Sequence, residues 1–384
     1  MSMEEVKPVE LLTVSEAARR MHVSRQTIYT WIHEGRVKPV FTPGGRHRIP
    51  EDQLIIQNNG ALEKQTANIF PIHDISELEP IRIEQMGTKE KYWFSGRDKY
   101  WYWNTEGKEF LFKAGREGSG ENWAEKVADE LCALLELPHA RYDLAKYRGV
   151  RGAISPNFVP NGAWLRHGNE ILASYISDYE KSRRYHQRKH TVRIVLAVVT
   201  KIAKKNIQLP IGWTNPGEFD CAADVFTGYL MLDAWIANQD RHHENWGLII
   251  VPDDGIIHLA PTFDHASSLG RNELDHVREE RLKTKDVGRG MERFVERARS
   301  AFYRTPSDIK PLSTLEAFNE AASRRPDAAR FWINRLEQIS FLNITGILDK
   351  VPSDELSDVG KEFTQKLLEL NKQRIVSLKV SLKG

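Results

Sequence analysis

Between Ala222 and Asp264 the chain changes its apolar period three times, and no other short stretch restricts the fold as much. Val225, Leu230, Leu232 and Ile236 recur at helical spacing and predict a helix over about 222–237. A polar loop follows, Asn238 to Asn245, and then an apolar strand from Trp246 to Val251. Asp254-Gly255 is a two-residue turn signal, so the strand should return as a hairpin. A tight turn would set Asp253 opposite Ile256, and the same register carries Asn245 opposite Asp264. Pro261 can disturb that pairing, so adjacency rather than strict register is the expectation.

The residues brought together have chemical content. An aspartate, an amide five residues later and a second aspartate returned by a hairpin can serve nucleotide-dependent phosphoryl transfer. Magnesium takes oxygen ligands, which Asn245 and Asp264 offer. Asp240 then remains to orient an acceptor hydroxyl and take its proton. The spacing from Asp240 to Asn245 equals that of protein-kinase catalytic loops, with Phe263-Asp264 standing where those enzymes place a metal-binding aspartate. D-R-H-x-x-N-W-G followed by A-P-x-F-D-x-x-S-S-L resembles the HipA-like serine/threonine kinases over about residues 81–384. The resemblance implies a bilobal, protein-kinase-like α+β fold of bacterial toxin–antitoxin type that uses ATP and Mg2+. It makes Asp240 the base and Asn245 and Asp264 the metal ligands, and it gives His242 a packing role in the loop.

The upstream half should then hold the nucleotide. Around Glu106-Gly107, Tyr100–Trp103 and Glu109–Lys113 read as a hairpin. A period of two along Glu109–Lys113 sends Phe110 and Phe112 to one face, Leu111 and Lys113 to the other. Lys113 thus points inward, suited to phosphates, with Glu125 on the helix Trp123–Leu135 as its partner and Glu121 in reserve. Gly87, Thr88 and Lys91 belong to a segment resembling the family's phosphate loop. Ala153 to Pro160, with Phe158, is read as the hinge that holds adenine through backbone groups. HipA-like kinases can silence themselves by phosphorylating a serine shortly before the phosphate-loop glycine. Ile81 to Met86 contains no serine, which leaves Thr88, Ser267 or Ser268 as substitutes. Residues from Ser267 to about 290 are read as the activation segment.

A separate pattern occupies the N-terminus. Thr13-Val-Ser-Glu16 matches a capping box ahead of a helix over Ser15–Met21, with Ala17, Ala18 and Met21 at apolar spacing. Ser24 caps a second helix, Arg25–Glu34, whose Ile28, Trp31 and Ile32 face inward and whose outer face carries Arg25, Gln26, Thr27, Tyr29 and Thr30. Phe41 to Ile49 is a hairpin with Gly44-Gly45 at its tip and Arg46 and Arg48 beyond it. From Thr13 to Arg48 there are seven Lys/Arg and two Glu, about +5 within a chain whose net charge is +2. This segment resembles the winged helix-turn-helix of MerR and excisionase type, which implies double-stranded DNA as a partner, read by Arg25, Gln26, Thr27 and Tyr29, with Arg46 and Arg48 on phosphates. A protein-interaction module without DNA is the alternative.

Composition sets the outer limits. The two cysteines, Cys132 and Cys221, stand in no C-x-x-C pair, which excludes a cysteine-rich zinc module and fits a reducing cytoplasm. Apolar runs such as Ile194–Val199 are too short to span a membrane, and no signal peptide is visible at Met1. The expected organisation is a DNA-binding domain over 1–57, a linker over 58–80, a kinase small lobe over 81–165 and a large helical lobe over 166–384. Further expectations are a protein substrate carrying Ser/Thr, an antitoxin partner and a homodimer on palindromic DNA. Two rival functions stay open at this level: a regulator whose kinase-like body only senses nucleotide, and a phosphotransferase for a small molecule. His242-His243 as a zinc site is a weaker reading, since adjacent histidines point in different directions. Trp93, Trp101, Trp103 and Trp123 are read as core rather than as base-stacking rings, Gly115–Gly120 as a connector, and Arg278–Lys285 and Met291–Arg299 as solvated helix faces.

Overall fold

The computed structural model describes residues 11–20, 28, 32, 37–41, 47–50, 69–84, 90–95, 109–202, 204–252 and 255–380. Two compact units divide the chain, Met1–Ile69 and Phe70–Gly384.

In the first unit, β1 (Leu11–Thr13) leads into α1 (Val14–Arg20), and β2 (Val40–Phe41) pairs with β3 (His47–Pro50). The capping box is present: the Thr13 N–H donates to Glu16 Oε2 at 2.7 Å, and the Glu16 N–H donates to Thr13 Oγ1 at 3.2 Å. The antiparallel order is β1-β3-β2, over a core of Leu12, Val14, Ala17, Ile28, Val37 and Ile49. Ile28 and Ile32 are helical and turned towards that core, as their four-residue spacing requires. Arg48 stands in the middle strand, opposite Thr13 and Val40. Arg25, Gln26, Thr27, Tyr29 and Arg46 lie outside the described residues.

The second unit begins with a sheet. Its strands are β4 (Ile72–Asp74), β5 (Arg82–Ile83), β6 (Lys91–Ser95), β7 (Glu109–Ala114), β8 (Asp143–Tyr147) and β9 (Val150–Pro156), with α2 (Glu121–Leu135) between β7 and β8. The order is β4-β8-β9-β7-β6-β5, antiparallel except for the parallel pair β4–β8. The stretch expected as a linker through residue 80 therefore contributes an edge strand. Phe70 is buried, and its N–H donates to the Lys350 carbonyl at 2.8 Å. Phe110 and Phe112 bury themselves against Phe94, Tyr147 and Ile154, which turns Leu111 and Lys113 to the other face. Trp93 pairs with Leu111 and shares that other face, so it is not core: its Nε1–H donates to Glu84 at 3.0 Å, and the Arg82 guanidinium lies over its ring. Trp123 is core; Trp101 and Trp103 lie outside the described residues, as does the expected strand Tyr100–Trp103.

Beyond the sheet the chain is mainly helical. It runs through β10 (Trp164–His167), α3 (Gly168–Tyr175), α4 (Val192–Thr200), the short pair β11 (Lys201–Ile202) and β12 (Lys205–Asn206), and α5 (Ala222–Trp235). Then come β13 (Gly247–Val251), β14 (Ile256–Leu259), α6 (Asp275–Lys283), α7 (Met291–Glu296), α8 (Thr314–Ala322), α9 (Pro326–Gln338), α10 (Phe341–Leu348) and α11 (Asp358–Ser377). Every residue of α5 is buried, with α4, α8, α9 and α11 packed around it. Gly228 allows that approach: a Cβ there would stand 2.6 Å from the Trp332 ring. The α6 stretch is solvated as expected, with Arg278 its one buried residue, while α7 buries Met291 and Val295. Among the described residues no helix is long and apolar enough to cross a membrane.

The hairpin differs in register from the sequence expectation. Val251 faces Ile256 and Leu248 faces Leu259, a pairing two residues away from the one that a tight Asp254-Gly255 turn would set; residues 253 and 254 lie outside the described residues. Asn245 and Asp264 are accordingly not cross-strand partners. Both strands stop short of them, and another contact has to bring them together.

Candidate active site

One face of the sheet supplies a lysine, and the helix α2 that follows it supplies a carboxylate. Lys113 Nζ lies 3.0 Å from Glu125 Oε1, and Glu125 is 2% exposed. The reserve partner Glu121 instead pairs with Arg271 at 2.8 Å. Lys113 Nζ also lies 3.3 Å from Asp264 Oδ1 and donates to Tyr142 Oη at 3.3 Å. Tyr142 Oη accepts the Asp264 N–H at 3.2 Å, while Glu125 Oε2 accepts the His265 N–H at 2.8 Å. The helix glutamate and the buried phenol thus dock the Asp264 segment onto the sheet. Burial opposes the Lys113 charge, yet Asp264 and Glu125 hold its pKa well above the usual lysine value. Burial pushes the Glu125 carboxyl up, against the pull of Lys113. Asp264 itself has φ 60°, a left-handed conformation that aspartate tolerates better than most residues.

The loop after α5 is organised by one buried ion pair. Arg241, fully buried, donates from Nε and Nη2 to the two Asp233 oxygens, each at 2.8 Å. Its remaining nitrogen, Nη1, donates to the Asn245 carbonyl at 2.9 Å and towards the Phe263 carbonyl at 3.4 Å. This fork holds the loop end against the segment that carries Asp264, supplying the adjacency that the hairpin register does not. Asn238 ties in on both sides, donating to Asp233 at 2.8 Å and accepting the Asp240 N–H at 3.2 Å. The Asn245 side-chain N–H donates to the Asp240 carbonyl at 2.7 Å, which fixes the orientation of its amide oxygen.

Asp240 keeps a quarter of its side chain exposed and accepts a hydrogen bond from Tyr185 Oη at 3.2 Å. His242 Nε2 lies 3.6 Å from the same carboxylate oxygen. Burial pushes the His242 pKa down to about 3, so the ring is neutral and acts as packing under the loop. His242 and His243 stand nearly perpendicular, at 84°, and His243 Nδ1 is 2.7 Å from Tyr179 Oη, so the two rings serve different neighbours.

A cleft of about 620 Å³ brings these groups together. Lys91, Lys113, Phe158, Asp240, Asn245 and Asp264 all line it. Lys91 and Lys113 are cross-strand partners on its sheet wall. Phe158 stacks on Phe263 at 5.7 Å and forms an apolar wall beside the end of β9, where the backbone passes from the sheet to the helical part. The cavity has the size of small-molecule sites in general. Asn245 and Asp264 offer hard oxygen donors, and a pair of such ligands suits an ion that completes its shell with water and phosphate oxygens. The donor set therefore fits magnesium. Gly87 and Thr88 lie outside the described residues.

Sequence reasoning did not single out Asp233, Tyr142 or Tyr185, and it gave Arg241 no role. The readable signal for Asp233 is a carboxylate inside a helix that has no polar face. Tyr142 and Tyr185 arrive from distant segments and leave no local signature.

Residues 11–55 match the helix-turn-helix domain family. No curated protein matches the chain. Among solved structures, the proinflammatory kinase CtkA of Helicobacter pylori aligns with a TM-score of 0.61 at 18% identity, over 81% of this chain and 98% of that one. The complex of HipA, HipB and operator DNA from the Shewanella oneidensis MR-1 toxin–antitoxin system aligns with a TM-score of 0.46 at 10% identity, over 97% of this chain and 73% of that one. The chain thus joins an N-terminal helix-turn-helix domain to a mixed helix-and-sheet body with a kinase-like fold.

Proposed function

We propose that this chain is an ATP-dependent serine/threonine protein kinase joined to a sequence-specific DNA-binding domain. The observation that carries the reading is the lining of the cleft, where Lys113 of β7, backed by Glu125 of α2, lies among Asp240, Asn245 and Asp264. Lys113, held charged by its carboxylates, is placed for phosphate oxygens. Asp240 sits at the cleft surface, where it can orient an acceptor hydroxyl and take its proton. Asn245 and Asp264 would hold magnesium, which when bound neutralises charge on the phosphates. Phe158 and the backbone at the end of β9 offer an apolar slot for a base.

Incubation of the full chain with γ-labelled ATP, magnesium and cell lysate, followed by mapping of labelled peptides, tests the reading. Label on serine or threonine of lysate proteins is the expected result. Nucleotide binding without any transfer would leave only a nucleotide sensor. For the N-terminal domain, the local charge and the matched family support binding to duplex DNA, with an antitoxin partner and a homodimer as further expectations. Anisotropy of a labelled duplex pool, measured against rising salt, tests the DNA half.

A further inference from the structure

Four hydroxyl groups line the cleft among the described residues, those of Tyr142, Ser155, Tyr185 and Ser267. Tyr142 accepts from Lys113 and from the Asp264 backbone, at the sheet wall. Ser267 Oγ accepts from Arg271 at 3.3 Å, and its neighbour Ser268 is 2% exposed. Tyr185 stands apart from these, because its Oη donates to Asp240 Oδ1 at 3.2 Å. That is the contact a general base makes with the hydroxyl whose proton it removes. The ring is held by an edge-on contact with His242, 5.8 Å between centroids at 86°, and the residue is 56% exposed.

We infer that Tyr185 is a phosphoryl acceptor within its own chain, occupying the acceptor place at Asp240 until it is modified. The inference rests on the transfer reading above. With a nucleoside triphosphate in the cleft, the Tyr185 oxygen forms a bond to the terminal phosphorus and its proton passes to Asp240. The bond from that phosphorus to the bridging oxygen breaks, and the electron pair leaves with the nucleoside diphosphate. Once Asp240 has released that proton to solvent, the phosphotyrosine dianion stands beside a carboxylate and the two repel. Arg184 and Arg116 both line the cleft and both act electrostatically on the Tyr185 hydroxyl, so cationic partners for the displaced phosphate are close by. Arg184 now holds Glu244, with Nε to Oε2 at 2.8 Å, and can exchange that carboxylate for the phosphate. Modification would thereby vacate the acceptor place for an external hydroxyl.

The purified full chain, incubated with γ-labelled ATP and magnesium and then digested, should yield label on the Tyr185 peptide. The labelled fraction at a given time should be the same across a hundredfold range of protein concentration. Asp240→Ala should abolish the label. Tyr185→Phe keeps the ring on His242 and should lower self-incorporated label at least tenfold. Label confined to other residues, or full self-labelling of Tyr185→Phe, would overturn the inference. Transfer to lysate proteins with Tyr185 unmodified would overturn it while leaving the kinase reading intact. No transfer to either the chain or the lysate would remove both.

Discussion

Asp240 and Tyr142 line the cleft differently, the first a quarter exposed and the second buried, and the proposed function gives them different tests. Asp240→Ala removes an acceptor for protons and keeps the main-chain carbonyl that holds the Asn245 amide. Its expected effect is a loss of transfer of about 10²–10⁴-fold, with magnesium–ATP affinity near that of the parent by calorimetry. Tyr142→Phe has the opposite signature. It leaves Lys113 and the Asp264 N–H short of a shared acceptor inside the protein, at a cost of about 1–3 kcal/mol. Affinity for magnesium–ATP should then fall about tenfold while Asp240 keeps its geometry, and unchanged affinity in calorimetry would dismiss the phenol as an organiser. The placement of Lys113 was legible in the sequence because Phe110 and Phe112 fix the phase of their strand. The placement of Asp264 was legible only as proximity. Its true anchors, Tyr142 and Arg241, reach it through contacts that no local period encodes.

At the scale of elements, α5 shows what a sequence pattern conveys and what it hides. Its length was readable from its apolar spacing, but a helix buried on every side has no stripe to say which neighbours it meets. Gly228 marks the tightest of those meetings. Gly228→Ala should force the Trp332 ring aside and lower stability by about 1–3 kcal/mol, measured as a shift of the urea midpoint. The β13–β14 register differs by two residues from that of a tight turn, because an Asp-Gly pair marks a turn without fixing the loop length around it. Strand β4 escaped notice for another reason. A three-residue edge strand that pairs in parallel is held by main-chain bonds and needs no side-chain alternation.

For the whole molecule, acidity is the informative variable. Burial pushes His190 and His242 down to about 3 and His243 to about 4, against about 6.5 in an unfolded chain. Because the folded values are the lower ones, the unfolded state binds more protons between them. The stability these neutral rings contribute is complete above about pH 6.5 and is lost as pH falls towards 4 and below. Thermal midpoints should therefore decline steadily from pH 7 to pH 4.5, and a flat profile would mean that the rings are hydrated. Chain length gives a second whole-molecule test. A version starting at Phe70 should unfold cooperatively with the parent's midpoint for this unit, whereas one starting at Ile81 lacks β4 and Phe70 and should melt several degrees lower. Equal midpoints for the two would show that β4 adds nothing.

The buried pair of Asp233 and Arg241 has a consequence for inheritance. A guanidinium that loses its carboxylate so deep in the protein becomes a stranded charge, and the reverse loss strands an anion, so neither position can drift alone. Descendants of this chain should keep both or exchange both in one lineage. Where both have gone, the tether between the two halves of the cleft has gone with them, and such relatives should have shed transfer while retaining the rest of the body.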